Sequence, residues 1–185
     1  MAAESVSRGL VNRMSRALAL DKSLYEEVEA DKSATGQAML VVVAASVIGG
    51  LGAAATGGVL GLLAGILLGI AGWAIWAWLN YFIGTRLLAE PQTEADWGQL
   101  ARTMGFAYSP RIFLLLMLIP FLPLQIFVSL AVVVWVAIGM VIAVRQALDY
   151  RSTLRAVAVT VVGLLINAIA VGILAAFLPA IGTRS

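Results

Sequence analysis

Charge is distributed so unevenly along this chain that it dictates the solvent. Residues 33–85, 112–144 and 156–183 contain no Asp, Glu, Lys or Arg. A membrane-crossing helix needs roughly 20 apolar residues, because a rise of about 1.5 Å per residue must cover ~30 Å of hydrocarbon. All three runs exceed that length. Composition agrees, with 62% apolar residues, 12% charged residues and a mean hydropathy of +0.99. A soluble domain of this size has too little interior to hide so much apolar surface. The sequence predicts an integral membrane protein.

The first run holds two helices, placed at 36–55 and 59–83 and separated at Thr56-Gly57-Gly58, where adjacent glycines favour a turn. The middle run is too long for one span and too short for two. Pro120 and Pro123 interrupt it, and proline inside a helix removes a hydrogen bond and clashes with the preceding turn. A span at 124–144 follows that turn. The span before it must recruit Gly105 to Arg111, giving a short third helix over about 105–119, kinked at Pro110. The last run is one helix, 156–178, closed by Pro179. The expected fold is all-α: a polytopic bundle of five transmembrane helices over 36–182, behind a cytoplasmic amphipathic region over 1–35. Eleven of the twelve cations fall in the N-terminal tail and in the second-to-third and fourth-to-fifth connections. Only Arg184 lies on the other side. The positive-inside rule then predicts a cytoplasmic N-terminus and an external C-terminus.

Within the tail, Val6, Leu10, Met14, Ala17 and Leu18 form one helical stripe flanked by Arg8, Arg13 and Arg16. A basic amphipathic helix can lie in the headgroup layer or pack against a partner or its own membrane domain. Ser23 and Glu26 have capping-box spacing and predict a second helix start. Glu26, Glu27, Glu29 and Asp31 follow without the Asp-rich loop of a calcium site, which predicts a solvated acidic face. The residues after the N-terminal arginines are too short an apolar run for a cleavable leader.

Gly57, Gly61, Gly65 and Gly69 recur every four residues. Each glycine costs about 1 kcal/mol of helix propensity against alanine, so a run in register implies close approach by another backbone. That partner is another helix of this chain or a second copy. Trp73, Trp76, Trp78 and Tyr81 crowd the next turns as an expected aromatic belt. Asn80 and Asn167 sit inside spans, as interhelical hydrogen-bond donors or as pathway lining. Tyr108, Pro110 and Arg111 mark the third span, and Arg111 at its depth either snorkels or pairs with an acid, for which Asp149 is the candidate. The chain has no Cys and no His. That excludes thiolate and imidazole catalysis, Cys/His zinc sites and haem ligation by these groups. No catalytic, cofactor-binding or metal-ligating residue is expected, and no nucleic-acid partner. Arginine outnumbers lysine ten to two, a bias associated with GC-rich, prokaryotic genomes.

Residues Thr93 to Pro110 read TEADWGQLARTMGFAYSP, an amphipathic stretch followed by Gly-aromatic-small-Tyr-small-Pro. This resembles the signature entering the third span of the Yip-one (Ypt-interacting protein) family. The segment from Ala143 to Tyr150 with Arg155-Ala156 is similar to the family's link between its last two spans. The resemblance covers Leu24 to Leu178 in layout and implies five helices and a non-enzymatic membrane protein without a cofactor. Eukaryotic members bind Rab-type GTPases and one another. Their Asp-Leu-Tyr-Gly-Pro motif is missing here, with Leu24-Tyr25-Glu26 as its remnant, so GTPase binding does not carry over. The resemblance therefore implies a prokaryotic-branch member with the lipid bilayer, a second copy or another membrane protein as partners. Two functions follow as expectations: a scaffold or adaptor in membrane organisation or trafficking, and, as the alternative, a small transporter or channel subunit.

Overall fold

The longest apolar run turns back on itself at one residue. The helix α3 (Thr35–Phe82) contains a single non-helical residue, Gly58, with φ 57° and ψ −144°. That left-handed conformation is one glycine adopts without a Cβ penalty. The two limbs, 35–57 and 59–82, then pack antiparallel. A Cβ built on Gly61 would collide with the carbonyl oxygen of Ala53, one on Gly65 would lie 2.8 Å from Cα of Gly50, and one on Gly69 would lie 2.8 Å from Oγ of Ser46.

The computed structural model describes the backbone of residues 2–182 and the side chains of 9–177. Among these residues the structure is helical, with no strand. Besides α3, its helices are α1 (Ala2–Leu18), α2 (Lys22–Ala30), α4 (Trp97–Ala107), α5 (Leu122–Ala147) and α6 (Thr153–Gly182). Three stretches are long and apolar enough to cross a membrane: Lys32–Leu87, which includes the folded-back α3, then Leu122–Ala147 and Thr153–Phe177. The side chains of Val6 and Arg8, together with Arg184, lie outside the described residues.

The expected helix over 105–119 is not one helix. α4 ends at Ala107, and Ser109–Leu118 continues as a 3-10 segment with Pro110 in its first turn. Proline is tolerated there because the N–H it lacks would have no helical partner. The Phe106 carbonyl accepts from the Ser109 hydroxyl at 2.7 Å. At the far end, the Gln125 amide donates to the carbonyls of Met117 (2.8 Å) and Ile119 (3.2 Å), so one side chain closes the 3-10 segment across the Pro120–Pro123 turn.

α4, in the stretch whose pattern is amphipathic, is buried on all sides over its second half. Leu100 to Pro110 are all buried, packed against α3 and α5. Gly105 lies so close to the first limb that a Cβ would come within 2.9 Å of Ala38 Cβ. α1 departs from the headgroup-layer expectation as well. Leu10, Met14 and Ala17 of its stripe face the protein's own core, and the Trp135 indole donates to the Leu18 carbonyl at 3.0 Å. The aromatic belt is likewise divided. Trp73 and Trp76 are core residues, whereas Trp78 is exposed and stacks on Phe82.

Candidate functional site

Two regions concentrate polar chemistry. The first is the polar end of the bundle, where α1, α2, the start of α4 and the links before α4 and α6 gather. Arg13 donates to Glu27 (2.9 Å), Asp31 (2.6 Å) and Gln37 (2.9 Å). Arg16 binds Asp21 at 2.9 Å and also Glu27. α2 starts two residues earlier than Ser23 would have it: Asp21 is its N-cap, accepting from the Ser23 backbone at 2.9 Å. Asp96, with Gln99, is likewise the N-cap of α4, and the Thr93 hydroxyl accepts from the Glu90 backbone.

The acidic residues of α2 and its flanks are therefore partnered, although Glu26 and Glu27 also stay exposed to solvent. Arg16, followed by Ser23, holds Asp21 down to about 2. Ser33, followed by Arg13, does the same for Asp31, also about 2. Arg16, joined by Arg13, lowers Glu27. Glu26 accepts from Gln146 of α5 at 2.7 Å. Glu29 goes the other way: burial, then Asp149, push it up to about 7, with Arg102 only partly offsetting them. Among the described residues no group of three or more acidic side chains converges as a metal site.

Sequence reasoning passed over Arg102. It is 5% exposed and donates to the carbonyls of Val28, at 2.9 Å, and Glu29. A cation at the C-terminus of α2 meets the unsatisfied carbonyls and the negative end of the helix dipole. Its signal in the sequence was an arginine on an otherwise apolar amphipathic helix, whose partner lies more than seventy positions away. Nearby, the Tyr150 hydroxyl lies 2.8 Å from the carbonyls of both Gly84 and Leu88. Gly84 lies within, and Leu88 caps, the π-helical turn Ile83–Leu87 that follows α3. Glu90 accepts from the backbones of Arg151 (3.0 Å) and Ser152 (3.3 Å) and pairs with Arg155 at 3.7 Å. Asp149 has a positive φ of 52°, and its carbonyl accepts from Gln92 at 3.1 Å.

The second region lies between α3, α6 and the start of the 3-10 segment. An open cavity of about 310 Å³ is lined by Gly69, Gly72, Trp73, Tyr108, Arg111 and Asn167, with Leu68, Ala168 and Val171. The Arg111 guanidinium stacks 4.8 Å above the Tyr108 ring. It does not pair with Asp149, which belongs to the α5–α6 link. Asn80 does not reach this cavity. Its amide donates within its own helix, to Trp76 at 2.7 Å, and packs on Gly163. The bond that joins α3 to α6 runs instead from the Trp76 indole to the Thr160 carbonyl, at 3.3 Å. Of the glycine series, Gly61, Gly65 and Gly69 face the first limb, while Gly57 has open space around it.

Comparison with family models matches residues 22–180 to the Yip1 domain. The chain belongs to the Yip1 family. No curated protein and no solved structure matches it. The Yip1 match spans α2 through α6 and so includes both polar regions. It also gives the two resembling segments a physical role. Met104, Phe106, Tyr108 and Pro110 are buried where α4 enters the bundle, Val144 is buried near the end of α5, and Leu148 and Tyr150 are buried against the turn that follows α3. A Cβ on Gly84 would strike Leu148. Leu24 and Tyr25 are fully buried too, so the side chains at the place of the family's missing motif face the core.

Proposed function

We propose that this Yip1-family protein is a non-enzymatic membrane scaffold. In this reading five segments cross the bilayer: the two limbs of α3, the end of α4 with the 3-10 segment, α5 and α6. The polar end lies in the cytoplasm and the C-terminus outside, the orientation that the asymmetry of the cations favours. The prokaryotic cell membrane is the setting that the arginine-rich composition favours.

The observation that carries the scaffold reading is the construction of the polar end. α2 is held at its start by the Asp21 cap and Arg16, at its end by Arg102, and underneath by fully buried Leu24, Tyr25 and Val28. Its outer face, with Lys22, Ser23, Glu26 and Glu27, stays exposed. A helix fixed this firmly presents a preorganised surface, which lowers the ordering cost of binding a partner. Arg13, Arg16 and Arg155 each pair with a carboxylate there. A second copy or another membrane protein is the class of partner proposed.

The cavity beside Arg111 favours a second reading, a small transporter subunit. Proteoliposome flux measurements combined with native mass spectrometry separate the two. A scaffold gives discrete assemblies and leaves solute leakage at the level of empty vesicles. Solute flux that is lost in Arg111→Gln would replace the scaffold reading by transport.

A further inference from the structure

The cavity between α3 and α6 holds hydrogen-bond donors that the protein does not satisfy. Arg111 carries five N–H donors, yet among the described residues its contact is the face of Tyr108, with no carboxylate or carbonyl partner. Trp73, 2% exposed, lines the same cavity, and its indole N–H has no acceptor. Asn167 contributes a buried amide oxygen without a donor. Asn167, on the α6 side of the cavity, lies roughly 20 Å along that helix from Thr153. Ionisable residues at such depth are costly and are retained with a partner or a ligand.

These donors select the guest. An apolar group would leave the guanidinium and the indole unmet, at a cost for each. A phosphate-type oxyanion matches the planar fork of arginine in two-point geometry and offers a further oxygen to the indole. The Asn167 amide adds an acceptor for a hydroxyl or ammonium group beside the phosphate. The remaining walls, Leu68, Ala168 and Val171, are apolar and suit the upper part of an acyl chain. We propose that this cavity binds a phosphate-type oxyanion, as carried by a phospholipid headgroup or by dissolved phosphate. The proposal goes beyond the scaffold reading and does not depend on it.

Native mass spectrometry of the full chain from neutral detergent tests it, with phosphatidic acid and the phosphate-free diacylglycerol of the same chains as probes. Inorganic phosphate is added in a thermal-shift arm. The expected result is a preference of about tenfold for phosphatidic acid, the size of one charge-assisted hydrogen-bond set. Arg111→Gln removes that preference, Arg111→Lys keeps part of it, and Arg86→Gln, an exposed cation at the polar end, leaves it intact. Ala168→Leu fills the cavity without touching a donor and must also remove it, which keeps the test decisive if Arg111→Gln fails to fold. Stabilisation by inorganic phosphate that Arg111→Gln abolishes, without lipid preference, assigns the site to the dissolved anion. Equal phosphatidic acid binding by the parent, Arg111→Gln and Ala168→Leu overturns the proposal and leaves water as the occupant.

Discussion

The polar end and the middle of the bundle solve the same problem, holding helices together, with opposite means. At the polar end Arg13, Arg16 and Arg155 each face a carboxylate, and Arg102 faces the carbonyls at the end of α2. In the middle, limb packs on limb through Gly50, Gly61, Gly65 and Gly69, and a cation, Arg111, has an aromatic ring in place of an acid. Lipid gives no hydrophobic drive for helices to associate, so close steric fit and a few hydrogen bonds must do so. Water at the polar end lowers the cost of a charge and lets ion pairs fix geometry. The contrast teaches where each kind of substitution should hurt.

The largest effect is expected in the middle. Gly61→Leu with Gly65→Leu drives side chains into the Ala53 carbonyl and Gly50. Overpacking costs ~1–3 kcal/mol per site, so the double variant should unfold at much lower temperature or fail to accumulate as a monodisperse species. A parent-like melting curve would break the steric half of the comparison. Next comes Arg102→Met at the polar end. It leaves the carbonyls of Val28 and Glu29, the first of them buried, without their donor and should cost on the order of 2 kcal/mol, with faster hydrogen exchange confined to α2 as the local readout.

How far this division could be read beforehand depends on the range of the interactions. The turn at Gly58 and the glycine spacing were legible because both are local: consecutive glycines and a four-residue period. The break at Pro120–Pro123 was legible for the same reason. Arg102, the Trp76 bond to Thr160 and the burial of α1 were not, since each depends on a partner distant in sequence. The 3-10 course of Ser109–Leu118 was hidden because its sequence is an ordinary apolar run; Pro110, Ser109 and Gln125 hold it by contacts that no periodicity announces. Asp21 captured the cap assigned to Ser23 because Arg16 also needed that carboxylate.

A smaller, pH-dependent effect sharpens the electrostatic half. Asp21 and Asp31 are held at about 2, below their ordinary 3.8, and Glu27 is also lowered. Their contribution is present above pH ~4 and is lost as pH falls toward 2. Glu29 is raised from its ordinary 4.5 to about 7. The folded state therefore holds its proton longer than the unfolded chain does, and stability falls as pH rises from 4.5 through 7. Protection of α2 should thus peak between about pH 4 and 5. Glu29→Gln should abolish the decline on the alkaline side while leaving the acid limb unchanged. A decline that persists in Glu29→Gln would show that another group carries it.

The smallest expected effect concerns the pair proposed from sequence. Arg111 belongs to the middle cavity and Asp149 to the polar end, so Arg111→Gln and Asp149→Asn should lose stability additively, within about 0.5 kcal/mol. A larger coupling would join the two regions that the structure keeps apart.

The central claim is that the glycine seam lies within one chain, between the two limbs of α3. The absence of native cysteine makes a cross-link direct. Ser46→Cys with Gly69→Cys places two thiols on Cβ atoms that would lie 2.9 Å apart, closer than the ~3.5 Å lower end of disulfide geometry, so the limbs must part by a few tenths of an ångström for the bond to close. Oxidation in membranes should give an intramolecular disulfide in the monomer, whereas the offset pair Ser46→Cys with Gly61→Cys should not close. A disulfide that forms only between two copies would contradict the account and make the seam an interface between molecules.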